Sequence, residues 1–269
     1  MKKFFKIILI ILLSAIVIIA IALLVFTLSN RMFIGGTDET HTSYLNSNKI
    51  VIHADNPLGN SKSTVFNHSV YTSKIVLLGE THGYAEVQDI DKALLFHFNK
   101  TKGTRYYVAE IDSLTADKLN LFLKKPEKDT LLLKDVVANV KRRIIQQAGR
   151  ELFNKWSDVY DYNRTLPDSL RISVIGLDKS VGDTLKIPRD SVMAMRLAAL
   201  MEQPGMENET FYGLFGMFHV FQEGVTPNNV LSLAARLKDR NISVKSIVCM
   251  QVDSEVYMPK EAEIGRAHV

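Results

Sequence analysis

The sequence of 269 residues holds one cysteine, Cys249, and a single thiol excludes an intramolecular disulfide framework. Cys249 lies inside the apolar stretch from Ser246 to Met250, the setting of a buried structural thiol rather than of a nucleophile. No basic stripe interleaved with aromatic residues is present, and the net charge is only +4, which argues against nucleic acid as a partner. Part of that charge sits at the extreme N-terminus, in Lys2, Lys3 and Lys6. The Gly-x-Ser-x-Gly elbow of serine hydrolases is missing, and so is the His-Glu-x-x-His helix of zinc peptidases. No internal repeat is visible. What is there is a folded composition, 46% apolar and 23% charged, in a chain long enough for one large domain or two small ones.

Residues 7–28 are apolar except for Ser14 and Thr27. At about 1.5 Å rise per residue such a run crosses a hydrocarbon core of roughly 30 Å. It is longer than the core of a signal peptide, about 7–15 residues, and Phe26-Thr27-Leu28-Ser29-Asn30 offers no small-x-small cleavage site. We therefore expect a retained single-pass anchor whose partner is the lipid bilayer. The lysines before it predict a cytoplasmic tail, residues 1–6, with the rest of the chain on the periplasmic side of the inner membrane. No cysteine lies near residue 30, which argues against a lipid-modified N-terminus. Residues 29–68 read as a linker: Gly35-Gly36, Thr37, Asp38 and the Ser/Asn-rich stretch 43–48 suit an extended, solvated chain, with a short edge strand at 49–54. Residues 69–263 are the candidate domain. The tail, residues 264–269, matches one reading frame of a widely used sequencing adapter. We therefore expect the natural C-terminus to be missing, the domain to be incomplete and His268 to have no function.

Within the domain, short apolar runs alternate with helical patterns. Strands are expected at Lys74–Leu78, Tyr106–Ala109, Arg171–Leu177, Phe211–Phe218 and Ser243–Gln251, although Gly213 and Gly216 weaken the fourth. Helices are expected at 85–100, closed by Gly103, at 114–123, and over a long region from 132 to 162. Two more begin at Pro188 and at Thr226-Pro227, running to Gln203 and to about Asn241. This alternation predicts an α/β domain with a parallel or mixed sheet covered by helices on both faces. In such sheets ligands bind beyond the carboxyl ends of the strands.

The residues at those ends are polar. Gly79-Glu80-Thr81-His82-Gly83 follows the first strand, Glu110 and Asp112 the second, and Asp178 and Lys179 the third. The fourth ends in His219, and the fifth in Gln251 and Asp253. Histidine titrates near neutral pH, so His82 or His219 suits general acid–base work. Glu80 and Glu110 suit orienting an imidazole, taking a proton or binding a metal. Histidine and glutamate without a serine or cysteine nucleophile imply activated water. Each residue also has a plain reading: Glu80 as a helix cap, Glu110 paired with a surface lysine, His219 as a satisfied core histidine. His41, His53, His68 and His97 are weaker candidates, and Lys141-Arg142-Arg143 reads as a solvated helix face.

The loop Leu77-Leu78-Gly79-Glu80-Thr81-His82-Gly83 resembles the signature loop of the erythromycin esterase-like, ChaN-like and Tiki group. Ala109-Glu110 is similar to the acidic end of that group's next strand, and Gly216-Met217-Phe218-His219 to its late Gly-x-x-His element. Arg189-Asp190-Ser191-Val192-Met193-Ala194 is similar to an Arg-Asp-x-x-Met-Ala segment of the esterase branch. The resemblance covers roughly residues 72–250. It departs in spacing, because Thr81 alone separates Glu80 from His82 where the esterase branch usually has two residues. It implies a hydrolase in which His82, Glu80, Glu110 and His219 are catalytic, while Arg189 and Asp178 bind a small-molecule or peptide substrate carrying an ester, lactone or amide. The other branches imply alternatives: a divalent metal on Glu80, His82, Glu110 and His219, or a haem carrier without turnover. Nothing in the sequence sets an oligomeric state.

Overall fold

The computed structural model describes residues 2–34, 39–49, 66–224 and 230–251. The chain divides into two compact units, Met1–Val51 and Ile52–Val269. In the first, helix α1 (Lys2–Ile34) carries the apolar run, and α2 (Glu39–Asn48) follows. Helix α1 is long and apolar enough to cross a membrane over Lys3–Ser29. Helix α2 corrects the extended reading of 43–48. The stretch is solvated, with no buried residue, yet helical, and Glu39 in its first turn complements the helix dipole. The edge strand expected at 49–54 falls outside the described residues except for Lys49, which has no regular structure.

The second unit is a five-stranded, all-parallel sheet in the order β3-β2-β4-β1-β5. The strands are β1 (Ile75–Glu80), β2 (Tyr106–Ala109), β3 (Ser173–Gly176), β4 (Phe211–Gly216) and β5 (Val244–Val248). Helix α3 (His68–Thr72) precedes them, and α4 (Ala85–Lys102) joins β1 to β2. Helices α5 (Ser113–Lys124), α6 (Thr130–Lys141) and α7 (Arg150–Thr165) lie between β2 and β3. Helix α8 (Arg189–Met201) leads to β4, and α9 (Leu233–Lys238) to β5. Alternation along β1 divides the core in two. Val76 and Leu78 pack with α4 to α7, against Leu94, Leu95, Phe98, Val136 and Trp156. Ile75 and Leu77 pack with α8 and α9, against Met193, Leu197, Leu233 and Leu237. Each of these buried side chains contributes about 1.5–3 kcal/mol. Helices cover both faces because parallel crossovers are right-handed. The chain steps one way from β1 to β3 and returns to β5, so the outward and return helices fall on opposite faces.

Three sequence expectations change. The long region 132–162 is two helices, α6 and α7, separated by a turn at 142–149. Its apolar positions repeat across the break, so periodicity alone could not see it. Pro188 caps α8 rather than filling its first position. Arg143, read as part of a solvated face, turns inward and pairs with buried Asp178. The helix start expected at Thr226-Pro227 lies outside the described residues, and α9 is capped by Ser232, whose hydroxyl accepts from Ala235 N.

Two features of the sheet place the site. Strand β4 sits between β1 and β2, so the ends of β1, β4 and β2 lie side by side. The register sets Glu80 opposite Gly216.

Candidate active site

At the end of β1, Glu80 is 1% exposed and points to the face covered by α4 to α7, in step with Val76 and Leu78. It does not cap α4; that position is Tyr84, with no side-chain cap bond. The chain turns at once, through Gly83 at φ 105°, a conformation that L side chains rarely adopt. The turn brings His82 back over Glu80, with Nδ1 2.9 Å from Glu80 Oε1. The imidazole is 27% exposed, and Nε2 is the nitrogen left free of that bond. Gln147, from the turn between α6 and α7, donates through Nε2 to Glu80 Oε1 and lies 3.3 Å from His82 Nδ1.

The ring of His82 lies against bare backbone. A Cβ on Gly216 would stand 3.1 Å from His82 Nε2 and 3.5 Å from Glu110 Oε2. The glycine that weakened the fourth strand in the sequence thus leaves the space that the imidazole and the second carboxylate border. Gly216 N–H donates to Glu110 Oε2 at 2.8 Å. Arg189 Nη2 donates to Glu110 Oε1 at 2.6 Å, and His219 Nε2 lies 3.3 Å from the same oxygen. On its other side His219 Nδ1 meets Asp190 Oδ1 at 2.6 Å. That oxygen also accepts from Leu233 N, at the start of α9.

The charges in this cluster fix one another. Burial alone would raise the Glu110 pKa, but the His219 hydrogen bond and charge, Gly216 N–H and Arg189 outweigh it and hold the carboxyl at about 2. Burial alone would lower that of His219, but hydrogen bonds and charges from Asp190 and Glu110 raise it to about 9. His219 is therefore an imidazolium at neutral pH, with both nitrogens donating. It is not a free base in this arrangement. Burial opposes the charge of Arg189, but Asp178 and Glu110 more than restore it, and its pKa rises.

Asp178 is fully buried, so it touches Arg189 rather than a ligand. Arg189 Nε donates to both of its oxygens at 3.1 Å, and Arg143 Nη1 pairs with Oδ2 at 2.8 Å. Arg143 also donates to the Lys179 carbonyl. The Arg189 side chain nonetheless remains 39% exposed.

Sequence reading did not find Gln147, Asp190 or Arg143 as site residues. Asp190 lay inside the quoted Arg-Asp segment, and Gly149 was the available mark of the turn that delivers the other two. Several candidates fall elsewhere. Asp112 caps α5 through Thr115 N at 2.8 Å. Lys179 donates to the Leu185 carbonyl. His97 Nε2 meets Tyr71 OH at 3.0 Å on α4. Burial first, then Asp91 and Glu80, push the Cys249 thiol up to about 11, which suits an inert thiol. His53, Asp253 and His268 lie outside the described residues. Among the described residues no group of three or more His, Cys, Asp or Glu side chains is arranged to hold a metal ion.

A larger cavity, of about 340 Å³, opens at the other end of the strands, beside the starts of β2 and β3. Its lining includes Arg105, Lys124, Arg164 and Arg171 but no histidine and one carboxylate, Asp168.

No family model matches this sequence, and no curated protein does. Solved structures do resemble the fold. A Bacillus cereus protein is 14% identical over 67% of this chain, with a TM-score of 0.46, and the match spans 66% of that protein, just under two thirds. An erythromycin esterase, EreC, in its open conformation is 12% identical over 65% of this chain and 69% of its own, with a TM-score of 0.39. The type III effector HopBA1 is 16% identical over 56% of this chain and 70% of its own, with a TM-score of 0.35. All three scores lie below 0.5, so the reading of the site rests on its own geometry.

Proposed function

We propose that this chain is a membrane-anchored hydrolase, acting outside the cytoplasm on an ester, lactone or amide with water activated by His82. One observation carries the reading: Glu80 engages His82 Nδ1 at 2.9 Å and leaves Nε2 free on a partly exposed ring. The loop that holds this pair is the one that resembles the erythromycin esterase-like group.

The chemistry follows from the contacts. His82 Nε2 takes a proton from water as the water oxygen bonds to the carbonyl carbon. The imidazolium so formed is stabilised through Nδ1 by Glu80, itself held by Gln147. The negative charge that develops on the carbonyl oxygen is met by positive groups already in place, the exposed part of Arg189 and the imidazolium of His219. Collapse of the tetrahedral intermediate breaks the bond to the leaving group, which receives the proton back from His82 Nε2. Glu110 and Asp178 touch no substrate in this scheme and hold the two cations in position.

A resident metal or haem finds no ready ligand set here. Glu110 is held by Arg189 and Gly216 N–H, and His219 by two carboxylates.

The test is hydrolysis of generic ester and peptide substrates by the full chain in detergent. His82→Ala should lower kcat by about 10²–10⁴ while leaving the thermal midpoint within a few degrees. A variant with undiminished turnover would sink the assignment.

A further inference from the structure

Beneath the site lies a buried polar network that the proposed hydrolysis does not use. Asp91 on α4 is wholly buried, and Lys155 on α7 is 3% exposed. Lys155 Nζ donates to Asp91 Oδ2 at 2.6 Å and to Tyr107 OH at 3.1 Å. Tyr107 OH donates to Asp91 Oδ2, and Tyr212 OH to Asp91 Oδ1, each at 2.8 Å. An ammonium has three N–H donors. Two are used on oxygen atoms, and the ammonium otherwise faces the Trp156 ring, 4.7 Å away, a weaker acceptor than oxygen.

Two acceptors nearby are also left over. Glu80 Oε2 and Gln88 Oε1 are buried without a hydrogen-bond partner among the described residues, and such groups cost free energy unless something donates to them. Gln88 lines a cavity of about 30 Å³ together with Lys155, Tyr107, Gln147 and Glu110. One water needs roughly 10–15 Å³ of such space and two to four polar partners. Glu80 does not line the cavity itself, but Gln147, which does, donates to its Oε1.

We infer that this cavity holds one ordered water, which accepts from Lys155 Nζ and donates to Gln88 Oε1. Its second hydrogen then serves the remaining acceptor on the Glu80 side. One surplus donor and two surplus acceptors are the complement of a water molecule, which has two hydrogens to give and lone pairs to receive. The water ties the Lys155–Asp91 pair to the carboxylate that orients His82, and so makes Gln88 and Lys155 positioning residues. This role rests on the hydrolase reading, whereas the water itself does not.

The experiment has two arms, both on the full chain in detergent. A high-resolution crystal structure should show water density within hydrogen-bond distance of Gln88 Oε1 and Lys155 Nζ, and a dry cavity would overturn the inference whether or not the chain hydrolyses anything. In the second arm Gln88→Met, similar in shape but without the amide, should lower kcat about tenfold, the scale of one hydrogen bond, with KM within about twofold. Unchanged kcat with the water lost would overturn the positioning role while leaving the hydrolase reading intact. A wild-type chain with no hydrolysis would instead sink that reading, and the positioning role with it.

Discussion

At the scale of single residues, the site works by charges that cannot be removed one at a time. His219 stands between two carboxylates, and Glu110 between two cations and a backbone N–H. Their folded-state pKa values move in opposite directions, to about 9 and about 2, so stability should follow a dome. For His219 the folded value lies above its ordinary 6.5; its contribution is full below that pH and is lost as pH climbs toward 9. For Glu110 the folded value lies below its ordinary 4.5; its contribution is full above that pH and is lost as pH falls toward 2. The two groups share one interaction, so they define one window rather than two additive gains. The thermal midpoint should therefore peak between about pH 4.5 and 6.5 and decline on both sides. In His219→Gln the alkaline decline should flatten, and a wild-type midpoint that holds steady up to pH 9 would contradict the assigned charge state. Turnover should fall above about pH 9 as the imidazolium that meets the developing oxyanion is lost.

At the scale of elements, the turn between α6 and α7 is the part that brings outlying side chains to the site. Arg142 and Arg143 are neighbours in one basic run, but Arg142 points to solvent while Arg143 reaches Asp178 and the Lys179 carbonyl. Arg143→Met should cost about 1.5–3 kcal/mol, the range of a hydrogen bond to a charged group. Asp178 keeps Arg189, so the loss stays below that of a buried carboxylate stripped of all partners. Arg142→Met should stay within about 0.5 kcal/mol. Urea denaturation of both variants measures the difference, and equal midpoints would mean that the basic run is a solvated face after all. The same turn marks the limit of sequence reading. Strands were legible because runs such as Ile75–Leu78 are apolar on both faces, and the strand ends named Glu80, His82, Glu110 and His219. Asp190, Arg143 and Gln147 were not legible, because their roles depend on how α6, α7 and α8 are brought to the sheet. The 3.6-residue pattern continues through 142–149 as though no turn were there, and no proline interrupts it.

At the scale of the whole molecule, the anchor and the domain pose separate physical problems. The domain unit buries its apolar residues in two layers against one sheet. Over Lys3–Ser29 helix α1 buries nothing: its most apolar 18-residue window has a mean hydropathy of 3.5, and its side chains stand open. A helix apolar on every side is stable only inside protein or lipid, because in water it exposes far more contiguous apolar surface than soluble proteins tolerate. Its backbone donors and acceptors are satisfied along its own axis, which is what a hydrocarbon environment demands. At about 1.5 Å per residue it is some 50 Å long, enough to cross a core of roughly 30 Å and enter the headgroups. The full chain should therefore sediment with membranes and resist extraction by alkaline carbonate, while a chain beginning at residue 38 should be released. Lys2, Lys3 and Lys6 before the run set the expected orientation. Protease added outside intact spheroplasts should digest the domain, and protease added to inverted vesicles should leave it whole. Release of the full chain by carbonate would remove the anchor from the proposed function, and the opposite protection pattern would place the hydrolase on the cytoplasmic side, where the substrates available to His82 are of a different population.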